Sequence, residues 1–191
     1  MNLNKMICLK ASLILLLLLI QCAVTARAQE TRCTITAAQL AQAPELKGFW
    51  PGMTLEQVKA IVPSLEMGES DEMGLSKTSF SPDFNPKINK AAFQGVRTVS
   101  LDFLDGRLFS VWLGYNEAFK WKTVEEVATS LAQSLKLQQG WETRGRGQQL
   151  SCGDLQLAIT MVGGSPTLRI TDETARQTWE KRRTEKEEAE P

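Results

Sequence analysis

The 191-residue chain has no histidine and a single tyrosine. Without an imidazole, Ser/His/Asp and Cys/His triads, histidine metal sites and histidine acid–base chemistry are all excluded together. Charge of one sign is not in excess either, because 22 Lys and Arg balance 22 Asp and Glu. The bases are scattered, and nucleic-acid binding rests on clustered Lys and Arg that neutralise phosphates. No nucleic-acid partner is therefore expected. No Asn-x-Ser/Thr sequon occurs, which leans toward a bacterial envelope over a glycosylating secretory route. Long apolar runs are confined to the N-terminus.

That run has the layout of an export signal. Lys5 and Lys10 form a positive n-region, Ala11 to Ile20 is apolar but for Ser12, and Ala26-Arg27-Ala28 supplies the small residues a signal peptidase accepts. Cleavage after Ala28 makes residues 1–28 a signal peptide and Gln29 the first mature residue. A stable membrane span needs about 20 apolar residues, and this run breaks at Gln21 and Cys22. Lipid attachment at Cys22 is disfavoured, since bulky Gln21 stands where a lipidation box carries a small residue. The leader holds Lys5, Lys10 and Arg27 but no acid, so 19 bases remain against 22 acids in the mature part. The expected location is periplasmic or secreted.

Two of the four cysteines, Cys8 and Cys22, leave with the leader. Cys33 and Cys152 remain, and in an oxidising compartment such a pair is expected to form a disulfide. The alternative is two small buried thiols.

Three Thr-x-x-Gln/Glu patterns mark helix starts as capping boxes: Thr36 with Gln39, Thr54 with Gln57, and Thr123 with Glu126. Pro44 and Pro63 stop the first two. The third carries Val124, Val127, Ala128, Leu131 and Leu135 on one face, with Gly140 expected to end it. Alternation predicts a hairpin in which Val99, Leu101 and Phe103 share an apolar face with Phe109, Val111, Leu113 and Tyr115 across an Asp105-Gly106 turn. A second hairpin turns at Gly153-Asp154 between Gln148–Cys152 and Leu155–Met161. Thr167–Ile170 adds a strand and Leu75–Phe80 a weaker one, while 81–95, with Pro82 and Pro86, reads as a surface loop or lid.

The expected fold is α+β, an antiparallel sheet with helices packed on one face. Thr54-Leu55-Glu56-Gln57-Val58 parallels Thr123-Val124-Glu125-Glu126-Val127, and each precedes strands, which suggests two pseudo-repeated helix-plus-strands blocks. Any two capped amphipathic helices share that pattern. The domain spans 29–171, and 172–191 forms an exposed, charged C-terminal helix or tail. Ala175 and Trp179 can dock that helix, with its far end a frayed, solvated run.

No catalytic, cofactor or metal site emerges. Asp105 and Asp154 adjoin glycines in turns, where Asp bonds local backbone, and Asp102 lies on the polar face of its strand. Arg144-Gly145-Arg146-Gly147 reads either as a basic flexible loop able to hold an anion or, equally well, as a solvated hairpin entry. The more informative residues are Leu104, Leu108 and Trp112, apolar on the strand side opposite Phe103, Phe109 and Val111. An aromatic-centred patch of this kind marks a protein contact surface, open or shielded by the C-terminal helix through Trp179.

Gly52-Met53-Thr54-Leu55-Glu56-Gln57-Val58, preceded by Leu46 and Gly48 and closed by Pro63, resembles the helix opening of the SmpA/OmlA outer-membrane lipoprotein family, whose helix-pair-on-sheet design is shared with β-lactamase-inhibitor-like domains. The resemblance implies a non-catalytic envelope protein that works by contact. The rival expectation is a histidine-free hydrolase or small-ligand carrier with a pocket under the 81–95 loop.

Overall fold

The computed structural model describes residues 33–137 and 140–189. The expected signal peptide (1–28), its cleavage site and Cys22 lie outside the described residues. The described chain is α+β. Four helices, α1 (Ala37–Gln42), α2 (Leu55–Ile61), α3 (Val124–Leu135) and α4 (Glu173–Ala189), accompany seven strands, β1 (Leu75–Phe80), β2 (Val96–Leu104), β3 (Arg107–Tyr115), β4 (Glu142–Arg144), β5 (Gly147–Cys152), β6 (Leu155–Val162) and β7 (Ser165–Asp172). All strands pair antiparallel in one sheet of order β1-β2-β3-β7-β6-β5-β4.

The helix starts follow from their caps. In each of α1, α2 and α3 the threonine hydroxyl accepts from the third helical N–H, and the Gln or Glu at that position reaches back to the threonine N–H. α3 ends before Gly140: Lys136 takes the left-handed conformation, and the Leu137 N–H donates to the Ala132 carbonyl. That is the bonding of a Schellman cap, here formed without glycine. The hairpins are tight. Asp105 and Gly106 both have positive φ (49° and 77°), as do Gly163 and Gly164 (60° and 79°), the requirement of the two-residue turn that matches strand twist.

The two helix-plus-strands blocks meet in the middle of the sheet. α2 precedes the meander β1-β2-β3, α3 precedes β4-β5-β6-β7, and the last strand of each lies against the other, with Val111 opposite Ile170 and Leu113 opposite Leu168. Helices α1, α2 and α3 bury their apolar stripes with the inner face of this sheet. The 81–95 segment is pinned to the same core by Ile88 and Phe93, whose ring packs with Phe49 and Phe80, so it is a fixed part of the core wall. Its polar residues are largely exposed, and Phe84 is its one exposed large apolar side chain, at 86 %.

Readings left open by the sequence now have one outcome each. α4 packs on the face of the sheet opposite α1, α2 and α3, where Trp179 shields part of the apolar patch. Its charged run is helical through Ala189, held by ladders such as Lys181–Glu185 and Arg183–Glu187. The Arg144–Gly147 segment is the turn of a β4–β5 hairpin.

A bulge decides which side chains reach which face. Asp102 pairs with Ser110 but Phe103 pairs with Leu108, so Phe109 is an extra residue on β3. Leu108 consequently falls into the main core with Phe103, 1 % exposed, and Phe109 turns outward with Leu104. The bulge is held from outside the sheet: the Leu108 N–H donates to the Met53 carbonyl, and the Gly52 N–H to the Leu108 carbonyl.

Cys33 and Cys152 form a disulfide that spans 119 positions of sequence. Closing so long a loop constrains the unfolded chain, by about 5 kcal/mol on chain entropy alone. The oxidised protein, unfolded in denaturant, is expected to show no maleimide-reactive thiol from this pair, and reduction is expected to lower its urea midpoint sharply; two reactive thiols, or an unmoved midpoint, would contradict the bridge.

Candidate functional site

Strand alternation gives the outer face two distinct regions. At one end Leu75, Leu104 and Phe109 form a small apolar cluster, and α4 covers it with Ala175 and Trp179. The Asp172 carboxylate caps α4 by accepting from the Ala175 N–H. Further along, Arg182 donates twice to the Asp105 carboxylate (3.0 and 2.9 Å) and once to the Met73 carbonyl (2.9 Å). This clasp holds the Asp105 carboxyl below its ordinary value through the Arg182 hydrogen bonds. Arg183 lies over the Trp179 ring at 5.2 Å and Lys77 at 6.0 Å.

Beyond α4 the face is open and its floor is mostly polar. One cross-strand row runs Ser79, Ser100, Trp112, Arg169, Ala158 and Gln149. The next toward the far end runs Thr98, Gly114, Thr167 and Thr160, with the Thr160 and Thr167 hydroxyls hydrogen-bonded at 2.8 Å. Trp112 is the aromatic of these rows, and its placement depends on Gly114. A Cβ on Gly114 would lie 2.8 Å from Cη2 and 3.1 Å from Cζ3 of the indole. The ring therefore fills the space above the glycine and rests on the backbone, partly exposed to solvent. Glycine inside a strand commonly marks such a close approach.

Of the three residues expected to form a partner surface, only Trp112 remains available. Leu108 is in the core because of the bulge, and Leu104, 7 % exposed, is beneath α4. Arg169, missing from that expectation, is brought beside Trp112 by the β3–β7 pairing. No local pattern could reveal this, because the two residues are distant in sequence. The polar row closer to α4 contains Asp102. Burial raises its carboxyl above the ordinary value, against the opposing charges of Lys77 and Arg169.

The other candidate groups lie apart. Asp105 is engaged by Arg182, Asp154 sits in the β5–β6 turn, and Asp102 is within β2. Among the described residues, no three of His, Cys, Asp and Glu converge as a metal-ligand set. Glu45, in the short 3-10 turn Pro44–Leu46, is fully buried. Its Oε1 accepts from Ser130 (2.6 Å) and Ser134 (3.2 Å), and its main-chain carbonyl accepts from the Tyr115 hydroxyl (2.8 Å). Its Oε2 has no hydrogen-bond partner among the described residues. Burial, reinforced by Glu45, pushes the Tyr115 phenol well above its ordinary value. This group joins the turn, β3 and α3 inside the core. A shallow cleft of about 260 Å³ lies beside the 81–95 segment, lined by Leu65, Glu66, Thr78, Phe80 and Asn85 among others, with Glu66 its one carboxylate.

No family model, curated protein or solved structure matches the chain.

Two outcomes check this description. Gly114→Ala is expected to displace the indole while leaving the strand paired, changing Trp112 emission with a stability loss of no more than about 1–2 kcal/mol; an unchanged spectrum would mean the ring does not rest there. For Asp102, a raised folded-state pKa means the native state binds the proton more tightly, so stability is lost as pH rises from the unfolded value of about 3.9 through the folded one. Asp102→Asn is therefore expected to raise the urea midpoint at neutral pH, with the gain vanishing at about pH 2.5, where Asp102 is protonated in both states.

Proposed function

We propose that this chain is an exported, non-catalytic protein of a bacterial envelope that acts by protein–protein contact, and that the contact is made through the open part of the outer sheet face. The observation that carries this proposal is the setting of Trp112, an indole held against Gly114 beside an exposed arginine, on a face that α4 covers only at one end. Tryptophan and arginine dominate the energetics of protein interfaces, and a ring already fixed in place loses little entropy on docking.

Export is supported by the leader pattern of residues 1–28 and by the Cys33–Cys152 bridge, which suits an oxidising compartment. No helix among the described residues is long and apolar enough to cross a membrane. The envelope role rests on the SmpA/OmlA-like opening at Gly52–Val58. The rival carrier or hydrolase would use the cleft beside the 81–95 segment, but carboxylate-pair hydrolysis needs two acids across a cleft, and only Glu66 lines this one.

A photo-crosslinking residue in place of Ser100 or Thr160, on the open face, tests the proposal in cells that export the chain. Discrete protein adducts are expected from both positions and none from Thr129, exposed on α3. Adducts absent from the face, or equally strong at Thr129, would refute contact through this surface, and recovery of the chain from cytosol with its leader attached would refute export.

A further inference from the structure

We propose that the partner presents an acidic segment carrying one aromatic or apolar side chain, with Arg97 and Arg169 taking the carboxylates and Trp112 the side chain between them. This rests on the contact reading above and adds the chemistry of the partner. Most of the described arginines are already occupied. Arg144 pairs with Glu142, Arg176 with Glu173 and Glu180, Arg182 with Asp105 and Arg183 with Glu187, while Arg107 donates to the Gly52 carbonyl. Among the described residues, Arg97, Arg169 and Arg146 alone of the arginines have neither an ion pair nor a hydrogen bond, and Arg169 is the neighbour of Trp112 across the β3–β7 pairing.

Arg169 is next to Trp112 across the β3–β7 pairing and is exposed. Arg97 stands at the irregularity between Val96 and Thr98 of β2. Its Nη1 lies 3.8 Å from where a Cβ on Gly163 would be, so it reaches the β6–β7 turn at the end of the sheet away from α4. Along the strand direction the Gly114 row therefore separates Arg169, in the Trp112 row, from the Arg97 guanidinium at the β6–β7 turn. Few carboxylates oppose them: Asp102 is half-buried, and Glu142 on the far edge strand is held by Arg144. An unpaired guanidinium offers five donors in a fork that fits a carboxylate bidentately. A mature chain with three more acids than bases thus places two guanidinium groups without an ion pair along open rows whose one aromatic ring is Trp112.

That arrangement fits a protein segment better than another polyanion. Single-stranded nucleic acids engage a succession of aromatic platforms along the polymer, and the open rows hold only Trp112. Phe109 lies beneath α4, packed against Trp179 of that helix. One aromatic anchor with flanking arginines is the composition of a protein hot spot.

The test uses the chain recovered after export, immobilised, with four soluble probes: a random copolymer of glutamate and tyrosine, polyglutamate, polygalacturonate and an oligothymidylate. The copolymer is expected to bind most tightly, with affinity falling as salt rises. The pair Arg97→Ala and Arg169→Ala together should weaken it roughly tenfold or more. Trp112→Leu should remove the preference for the copolymer over polyglutamate, and Arg144→Ala should change nothing. All variants are compared at matched urea midpoints; if the leucine variant fails to fold, Gly114→Ala takes its place. Equal or tighter binding of polygalacturonate or the oligonucleotide, or binding unmoved by the arginine pair, overturns the inference. If no probe binds while Ser100 still crosslinks to protein, the acidic-segment inference fails and the contact reading stands; loss of both rejects the two together.

Discussion

The pairing of β3 with β7 is the constraint on which the rest of the molecule depends. Neither meander alone buries a closed core, and a small uncovered sheet is marginal in water. Joined at this seam, Val111, Leu113, Leu168 and Ile170 become fully inaccessible and form the floor on which α1, α2 and α3 rest. The seam also sets the outer face, because it alone brings Trp112 beside Arg169. The polar contacts of Glu45 with Ser130 and Ser134, and of Tyr115 with the Glu45 carbonyl, fasten the helical layer to β3. A buried carboxylate held by only one oxygen is a costly arrangement unless the geometry is specific. Through Ser130 and Ser134 it ties α3 directly to the Pro44–Leu46 turn.

Much of the fold was legible because local chemistry spoke for it. The capping boxes at Thr36, Thr54 and Thr123 identify three helix starts without reference to anything distant. Asp105-Gly106 and Gly153-Asp154 place two hairpins, since few residues satisfy two-residue turns. Where local signals were weak, the elements were missed or displaced. β4 has three exposed residues and no alternation to detect. α3 ends on a left-handed Lys136, so glycine was the wrong marker. Helical periodicity says that Ala175 and Trp179 share a side of α4, but not which face of the sheet receives them.

The proposed contact surface was only partly legible, for a reason traceable to one residue. Strict alternation through β3 puts Leu108 outward and Phe109 inward; the inserted residue at the bulge exchanges them, and a bulge imposed by the Gly52–Met53 backbone leaves no mark in the strand's own pattern. Trp112 lies beyond the bulge on the side expected of it. Gly114 was a usable signal, a glycine two positions after a tryptophan within a strand, pointing to a ring folded back on the backbone. Arg97 and Arg169 carried none, because their significance lies in what fails to pair with them in three dimensions.

The position of β7 bears on the order of events during synthesis. This central strand is the last one among the described residues. A polypeptide emerging from its amino end can make the β1-β2-β3 meander early but cannot seal the sheet until β7 has been made, so the native topology is closed to a chain that stops short of it. Such a layout keeps the growing polypeptide loose and threadable until that strand emerges.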